Sequence, residues 1–89
     1  MIFEYDEQKS RANKEKHGID FEEAKELWAD MQLVQLSTKT EHEQQYICIG
    51  LINERCWTAV ITYRSGKIRI ISVRCSREKE IELYENNNL

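Results

Sequence analysis

The sequence predicts an α+β domain of two layers: two N-terminal helices, a four-stranded antiparallel meander and a short C-terminal helix. The helices are expected on one face of the sheet. Three observations predict this. Asp20 and Glu23 form a capping box, and Phe21, Ala24, Leu27, Trp28 and Met31 then recur at helical spacing. Two runs rich in β-branched and aromatic residues, 57–63 and 68–73, flank Ser65-Gly66. No proline, repeat or linker interrupts the 89 residues, so 1–89 reads as one domain.

Phe3 and Tyr5, with Glu4 between them, give either a short strand or an N-terminal plug. Asp6 is an N-cap for a helix running through Lys16 or His17, and Gly18 is its left-handed stop. The polar face of that helix is broad. Its apolar face is little more than Ala12, so Phe3 and Tyr5 are expected to help bury it. The second helix is expected over 21–29, with Ile19 placed as a hydrophobic staple. Strands follow at 33–36 and 46–51, separated by a polar loop at 38–43, and Asn53-Glu54 is a turn. The last helix covers 78–85 with Ile81 and Tyr84 as its apolar edge, and 86–89 reads as a frayed end.

The 57–73 hairpin has a definite expected register. Glycine tolerates the positive φ that a two-residue turn demands, so Arg64 should face Lys67 and Thr62 should face Arg69. Continuing without interruption, Val60 faces Ile71 and Thr58 faces Val73. The other face pairs Tyr63 with Ile68, Ile61 with Ile70, Ala59 with Ser72 and Trp57 with Arg74. That second set is mostly apolar and should meet the core. Strict alternation leaves Arg74 on the opposite face from Arg69. A bulge or a strand end near Ser72 is needed for the arginines to converge.

Charge sets this ribbon apart. Residues 55–77 carry Arg55, Arg64, Lys67, Arg69, Arg74 and Arg77 and no acid, a formal +6. The chain as a whole stands at −3, so the remainder stands at −9. An overall pI near 5.4 argues against nucleic-acid binding by the whole surface. It leaves room for a local basic groove, because screening confines distant charge to about 8 Å. No apolar run is long enough to span a membrane and no signal-like leader is present, which points to the cytoplasm. Cys48, Cys56 and Cys75 are an odd number without a CxxC pair, so reduced buried thiols are expected. Neither they nor His17 and His42 have metal-ligand spacing, and neither metal nor cofactor is expected.

The stretches FEYDEQKSRANKEKHGIDFEEAKELWAD and YRSGKIRIISVRCSREKEIELY resemble the BrnT family of type II toxin–antitoxin toxins. The resemblance rests on Phe3 and Asp6, on Lys16-His17-Gly18 followed by Phe21 to Ala24, and on Arg69 to Ser72 with Arg74. Lys9, Asn13, Asp30, His42, Gly50, Tyr63, Arg64, Glu80 and Tyr84 complete it. It departs from the pattern at Tyr5, Asp20, Gln45 and Ser76, where Trp, Ser, Arg and Ala are usual. The resemblance implies a ribonuclease toxin with a compact fold similar to RelE. It also implies an antitoxin similar to BrnA with a ribbon–helix–helix part. Operator DNA would then be reached only through the toxin–antitoxin complex.

Such an enzyme cleaves RNA without a metal, blocking translation. The ribose 2′-hydroxyl attacks phosphorus, one proton leaves, another is supplied, and charge on the phosphoryl oxygens is stabilised. Arg64, Arg69 and Arg74 suit the last task, since guanidinium groups bind phosphate oxygens bidentately. A lone arginine would read as a solvated one or as a partner of Glu22, Glu23 or Glu43; an acid-free cluster favours phosphate. His17 is the natural proton carrier, with Lys16 beside it. Its alternative is a helix C-terminal histidine facing the last carbonyls. Lys67 is expected to touch phosphate, Ser72 either hydrogen-bonds phosphate or simply sits on the sheet beside Ala59, and Tyr84 either stacks on a base or lies at the core edge. His42 reads as an exposed loop histidine. The rival to the enzyme is a non-catalytic module whose basic ribbon docks an acidic protein or DNA. A toxin fold without activity is a third reading.

Overall fold

The computed structural model of the chain describes residues 1–38 and 42–87. The elements are β1 (Phe3–Glu4), α1 (Glu7–His17), α2 (Phe21–Ala24) running into a 3-10 helix (Lys25–Ala29), β2 (Val34–Thr38), β3 (Gln45–Ile52), β4 (Arg55–Arg64), β5 (Lys67–Cys75) and α3 (Glu78–Asn87). The expected four antiparallel strands are all present. The sheet nevertheless has five strands, in the order β1-β5-β4-β3-β2, and is mixed because β1 runs parallel to β5. Two residues carry no readable periodicity. β1 exists because Phe3 and Glu4 register against Ile68 and Arg69, and the Ile68 amide donates to the Ile2 carbonyl.

Local signals are realised closely. The Asp6 carboxylate accepts from the Lys9 amide, and Gly18 ends α1 at φ +80°. The Asp20–Glu23 capping box is reciprocal. Beyond it the chain tightens into the 3-10 helix, so the single helix expected over 21–29 is split. Leu27 and Leu33 close over Gly50, where a β-carbon would lie 3.2 and 2.9 Å from their terminal methyls, so a larger residue would push those side chains aside. Met31, expected on the apolar helix face, follows the 3-10 helix in a turn and is fully exposed. Asn86 and Asn87, expected to fray, continue α3. Residues 39–41 of the expected loop, and 88–89, lie outside the described residues.

α1 docks differently from expectation. Ala12 is exposed, and the buried positions of α1 are Ser10 and Asn13. Ser10 Oγ accepts from the Phe21 amide at 2.9 Å. Asn13 donates to the carbonyls of Ile19 and Val73, each at 2.8 Å, and accepts from the Val73 amide at 3.2 Å. β1 is too short to pair with β5 beyond Arg69. The Asn13 amide takes over that edge further along, presenting a donor and an acceptor as a strand would. Phe3 against Trp28 and Tyr5 against Phe21 are edge-on ring pairs that fasten the N-terminus. The main core, including Phe21, Leu27, Cys48, Ala59, Ile61, Ile70 and Val73, lies between these segments and one sheet face.

α3 breaks the two-layer expectation, since it lies across the opposite face. Tyr84 packs there with Val34 and Ile49, which register with each other and face away from the main core. Two polar clamps fix it. The Tyr84 hydroxyl donates to Asp30 Oδ2 at 2.7 Å, and the same oxygen accepts the Leu51 amide. Burial, then Asp30, pushes the Tyr84 phenol up to about 12. Burial alone would raise Asp30, but hydrogen bonds from Tyr84 and the Leu51 and Gln32 amides outweigh it and hold the carboxyl low. In the second clamp Arg74 reaches both Glu80 oxygens, at 2.7 and 2.8 Å. Thr58 and the Arg77 amide also donate to Glu80. Of the cysteines, Cys48 is buried and its thiol is pushed to about 12 by desolvation. Cys56 is half-buried and Cys75, against expectation, is exposed; all three are free.

Two outcomes follow. Asn13→Ala strands a buried strand edge and should lose about 2–3 kcal/mol of stability in urea unfolding. The Arg74 hydrogen bonds hold Glu80 down to about 2, below its ordinary 4.5. A depressed carboxyl contributes stability above its unfolded pKa and loses it as pH falls through the folded one. Wild-type stability should therefore drop between about pH 5 and pH 2. Glu80→Gln should be less stable at neutral pH by on the order of 2–3 kcal/mol and flatter across that window, as read by urea unfolding at several pH values.

Candidate functional site

The β4–β5 hairpin is joined by Ser65 and Gly66, both at positive φ (+52° and +77°), as a two-residue turn requires. Register follows expectation from Arg64↔Lys67 through Thr62↔Arg69 to Ile61↔Ile70. There it changes. Ile71 has no partner, and pairing resumes with Val60↔Ser72, Ala59↔Val73 and Thr58↔Arg74. Ser72 and Arg74 were expected opposite Ala59 and Trp57, on the core side. The bulge moves both to the outer face and turns Val73 inward, where it is fully buried. Lys67, Arg69, Ser72 and Arg74 therefore line one face with Arg64, as converging arginines require.

Their partners differ. Arg64 and Lys67 are exposed and pair with no described carboxylate. Arg69 is half-buried, and its Nη1 donates to Glu4 Oε2 at 2.9 Å. β1 delivers Glu4 directly beside Arg69 in the parallel register. Both side chains of this pair keep more than a quarter of their surface, 29% and 27%. Arg74 is enclosed in the Glu80 clamp, whose hydrogen bonds hold its guanidinium above the ordinary value. Ser72 is half-buried between Arg69 and Arg74 in the row sequence. Tyr84 is buried under α3 and engaged with Asp30, the core-edge alternative.

His17 and Lys16 stand elsewhere. They end α1 on the main-core side, His17 half-buried and Lys16 exposed. The following residue, Gly18, lines a cleft of about 250 Å³ with Arg55 and Trp57. Trp57 precedes Arg64 by seven strand residues, roughly 23 Å. The histidine is thus at the far end of β4 from the exposed basic tip.

Sequence reasoning missed the carboxylates that meet the ribbon. Glu4 lies 65 residues from Arg69 in the chain, and only the short strand β1 connects them. An aromatic pair stands at the same end of the sheet, on its core-side face. Tyr63, 48% exposed, stands edge-on to Tyr46 at 5.2 Å. The Thr62 hydroxyl donates to the Gln44 carbonyl at 2.8 Å, pinning the loop that carries His42 to this end of the sheet. Among the described residues no three His, Cys, Asp or Glu side chains gather as metal ligands. Among those residues no helix is long and apolar enough to cross a membrane.

No curated protein matches the chain. A family model does, over residues 5–80: that of the ribonuclease toxin, BrnT, of type II toxin–antitoxin systems. The match spans both helices of the N-terminal half, the whole basic hairpin and the Glu80 clamp. An RNA substrate and an antitoxin partner are what such a toxin acts on and answers to. The chain belongs to the BrnT family of type II toxin–antitoxin ribonuclease toxins.

Proposed function

We propose that this protein is a metal-independent endoribonuclease that arrests translation by cutting RNA on the outer face of the β4–β5 tip. One observation carries the reading: the register of the β4–β5 hairpin sets Arg64, Lys67 and Arg69 on one open face, with the Glu4 carboxylate among them. Arg64, Lys67 and Arg69 hold the scissile phosphate and offset the charge that builds on its oxygens. Glu4 takes the 2′-hydroxyl proton as that oxygen attacks phosphorus. The 5′-oxygen leaves with a proton from His42, whose loop adjoins the tip, and a 2′,3′-cyclic phosphate remains. The attacking group belongs to the substrate, so base, acid and positive charge suffice. His17 and Lys16 take no step in this reading, and Arg74 acts through α3 instead of phosphate.

An antitoxin similar to BrnA, with a ribbon–helix–helix part, would neutralise the toxin. Together they would bind operator DNA and repress their own operon. A second reading has its own support. Carboxylates occupy Arg69 and Arg74, as they would in a ribbon that binds an acidic partner and catalyses nothing.

One assay separates the readings: purified protein with RNA in EDTA. Glu4→Gln and the double variant Arg64→Ala/Lys67→Ala should each lose roughly 10²-fold or more in cleavage rate. His17→Ala should stay within a few-fold of wild type. Undiminished cleavage by both of the first two variants would remove the site. Tight RNA binding with no turnover by wild type would leave the binding module.

A further inference from the structure

The outer face of the sheet is only half covered. α3 lies over one cross-strand row, Val34–Ile49–Thr58–Arg74. It does so with two kinds of contact. Tyr84 fills the apolar end of the row, and the Glu80 carboxylate, one helical turn earlier, clasps the arginine at the other end. The next row towards the tip repeats this chemistry without a cover. Leu36 registers with Ile47, Ile47 with Val60, and Val60 with Ser72. Leu36 is 38% exposed, and the other three are half-buried. Beyond that row come Thr62 and Arg69, and beyond them Arg64 and Lys67, exposed and without a described carboxylate.

Rows in a sheet repeat every two residues, about 7 Å, and neighbouring helices pack about 8–10 Å apart. A second helix laid beside α3 would therefore rest on the Leu36–Ile47–Val60 row and bring its far side over the basic tip. Its complement is defined by what lies beneath it. Apolar side chains at helical spacing would meet the row, and acidic ones on the flank would meet Arg64 and Lys67.

We infer that the open half of this face, floored by Leu36, Ile47 and Val60 and edged by Arg64 and Lys67, is the docking site for an acidic amphipathic helix of the antitoxin. Charge complementarity selects that occupant. The ribbon carries six cations, internal carboxylates take Arg69 and Arg74, and the exposed remainder at the tip calls for external acids. The inference builds on the proposed site at the tip, because a helix seated there covers Glu4 and Arg69 and shuts RNA out. Leu36 itself belongs to the floor and has no part in catalysis.

The test uses the full chain with its cognate antitoxin, produced separately, and measures affinity by calorimetry and RNA cleavage in parallel. Leu36→Arg should weaken antitoxin binding at least roughly tenfold. It should leave antitoxin-free cleavage at the wild-type rate and require more antitoxin to suppress it. Met31→Arg, a change at a fully exposed apolar residue off this face, should leave affinity unchanged. In the unaltered chain, amide exchange over β2 and the first half of β3 should slow on antitoxin addition, a readout independent of whether any variant folds. Unchanged affinity in Leu36→Arg with no slowing over β2 and β3 would overturn the site. So would a loss of RNA cleavage with affinity intact, which would give the face to RNA. A dimer of the free chain that Leu36→Arg dissociates would give it to a second copy. Failure of cleavage in wild type, with antitoxin still bound through Leu36, would sink only the catalytic reading.

Discussion

One unpaired residue decides what the outer face of this sheet can do. Ile71 interrupts the β4–β5 ladder and shifts everything after it by one position. Without it, alternation would turn Ser72 and Arg74 towards α1 and leave Val73 outside. The energetic choice is one-sided. A bulge forgoes roughly one ladder hydrogen bond, about 1 kcal/mol net. Burying an arginine under an apolar layer without a partner costs several kcal/mol, and exposing Val73 adds to that. The bulge therefore follows from the composition of the strand. The same shift that protects the core brings Arg74 to the side that already holds Arg64, Lys67 and Arg69, where it meets Glu80.

Much of the chain was legible because its signals are local. Asp6, Gly18, the Asp20–Glu23 box and Ser65-Gly66 act over three or four residues, and each does in the structure what its chemistry dictates. Even the need for a bulge near Ser72 could be stated, since two arginines of opposite parity cannot share a face otherwise. The contacts that escaped are between distant segments. β1 is two residues long and has meaning only against Ile68 and Arg69. α3 has an apolar edge that fits either face of a sheet, and the choice was made by Glu80 and Tyr84 finding Arg74 and Asp30. His17 looked catalytic from its side chain alone. Its distance from the tip comes from the direction in which α1 crosses β5, and no single residue encodes that.

Several residues that carry the family resemblance fasten the fold. Asn13 completes the edge of β5, and Asp30 joins the 3-10 segment, β3 and α3 through one carboxylate. Arg74 and Glu80 lock α3 to the sheet. In this chain these positions serve long-range fastenings, so the motif reports architecture at least as much as chemistry. That explains how sequence matching can assign the family securely while leaving the reacting groups to be argued from geometry.

The two arginine–carboxylate pairs on the ribbon look alike in a diagram and differ in kind. Glu80 keeps only 15% of its side-chain surface, grips Arg74 with both oxygens and takes two further donors. Removing one partner from such a pair costs on the order of 2–3 kcal/mol, because the other is left uncompensated. Glu4 and Arg69 meet through a single 2.9 Å contact, and each retains over a quarter of its surface. A pair of that exposure contributes at most about 1 kcal/mol. A phosphodiester carries the same single charge and the same two free oxygens as the Glu4 carboxylate, so in the proposed reaction it can exchange with a partner held this weakly and leave Glu4 beside the ribose. The closed pair holds the molecule together, whereas the open one is weak enough to exchange its partner. Their different enclosure is why the chemistry is assigned to the tip of the ribbon and not to its base.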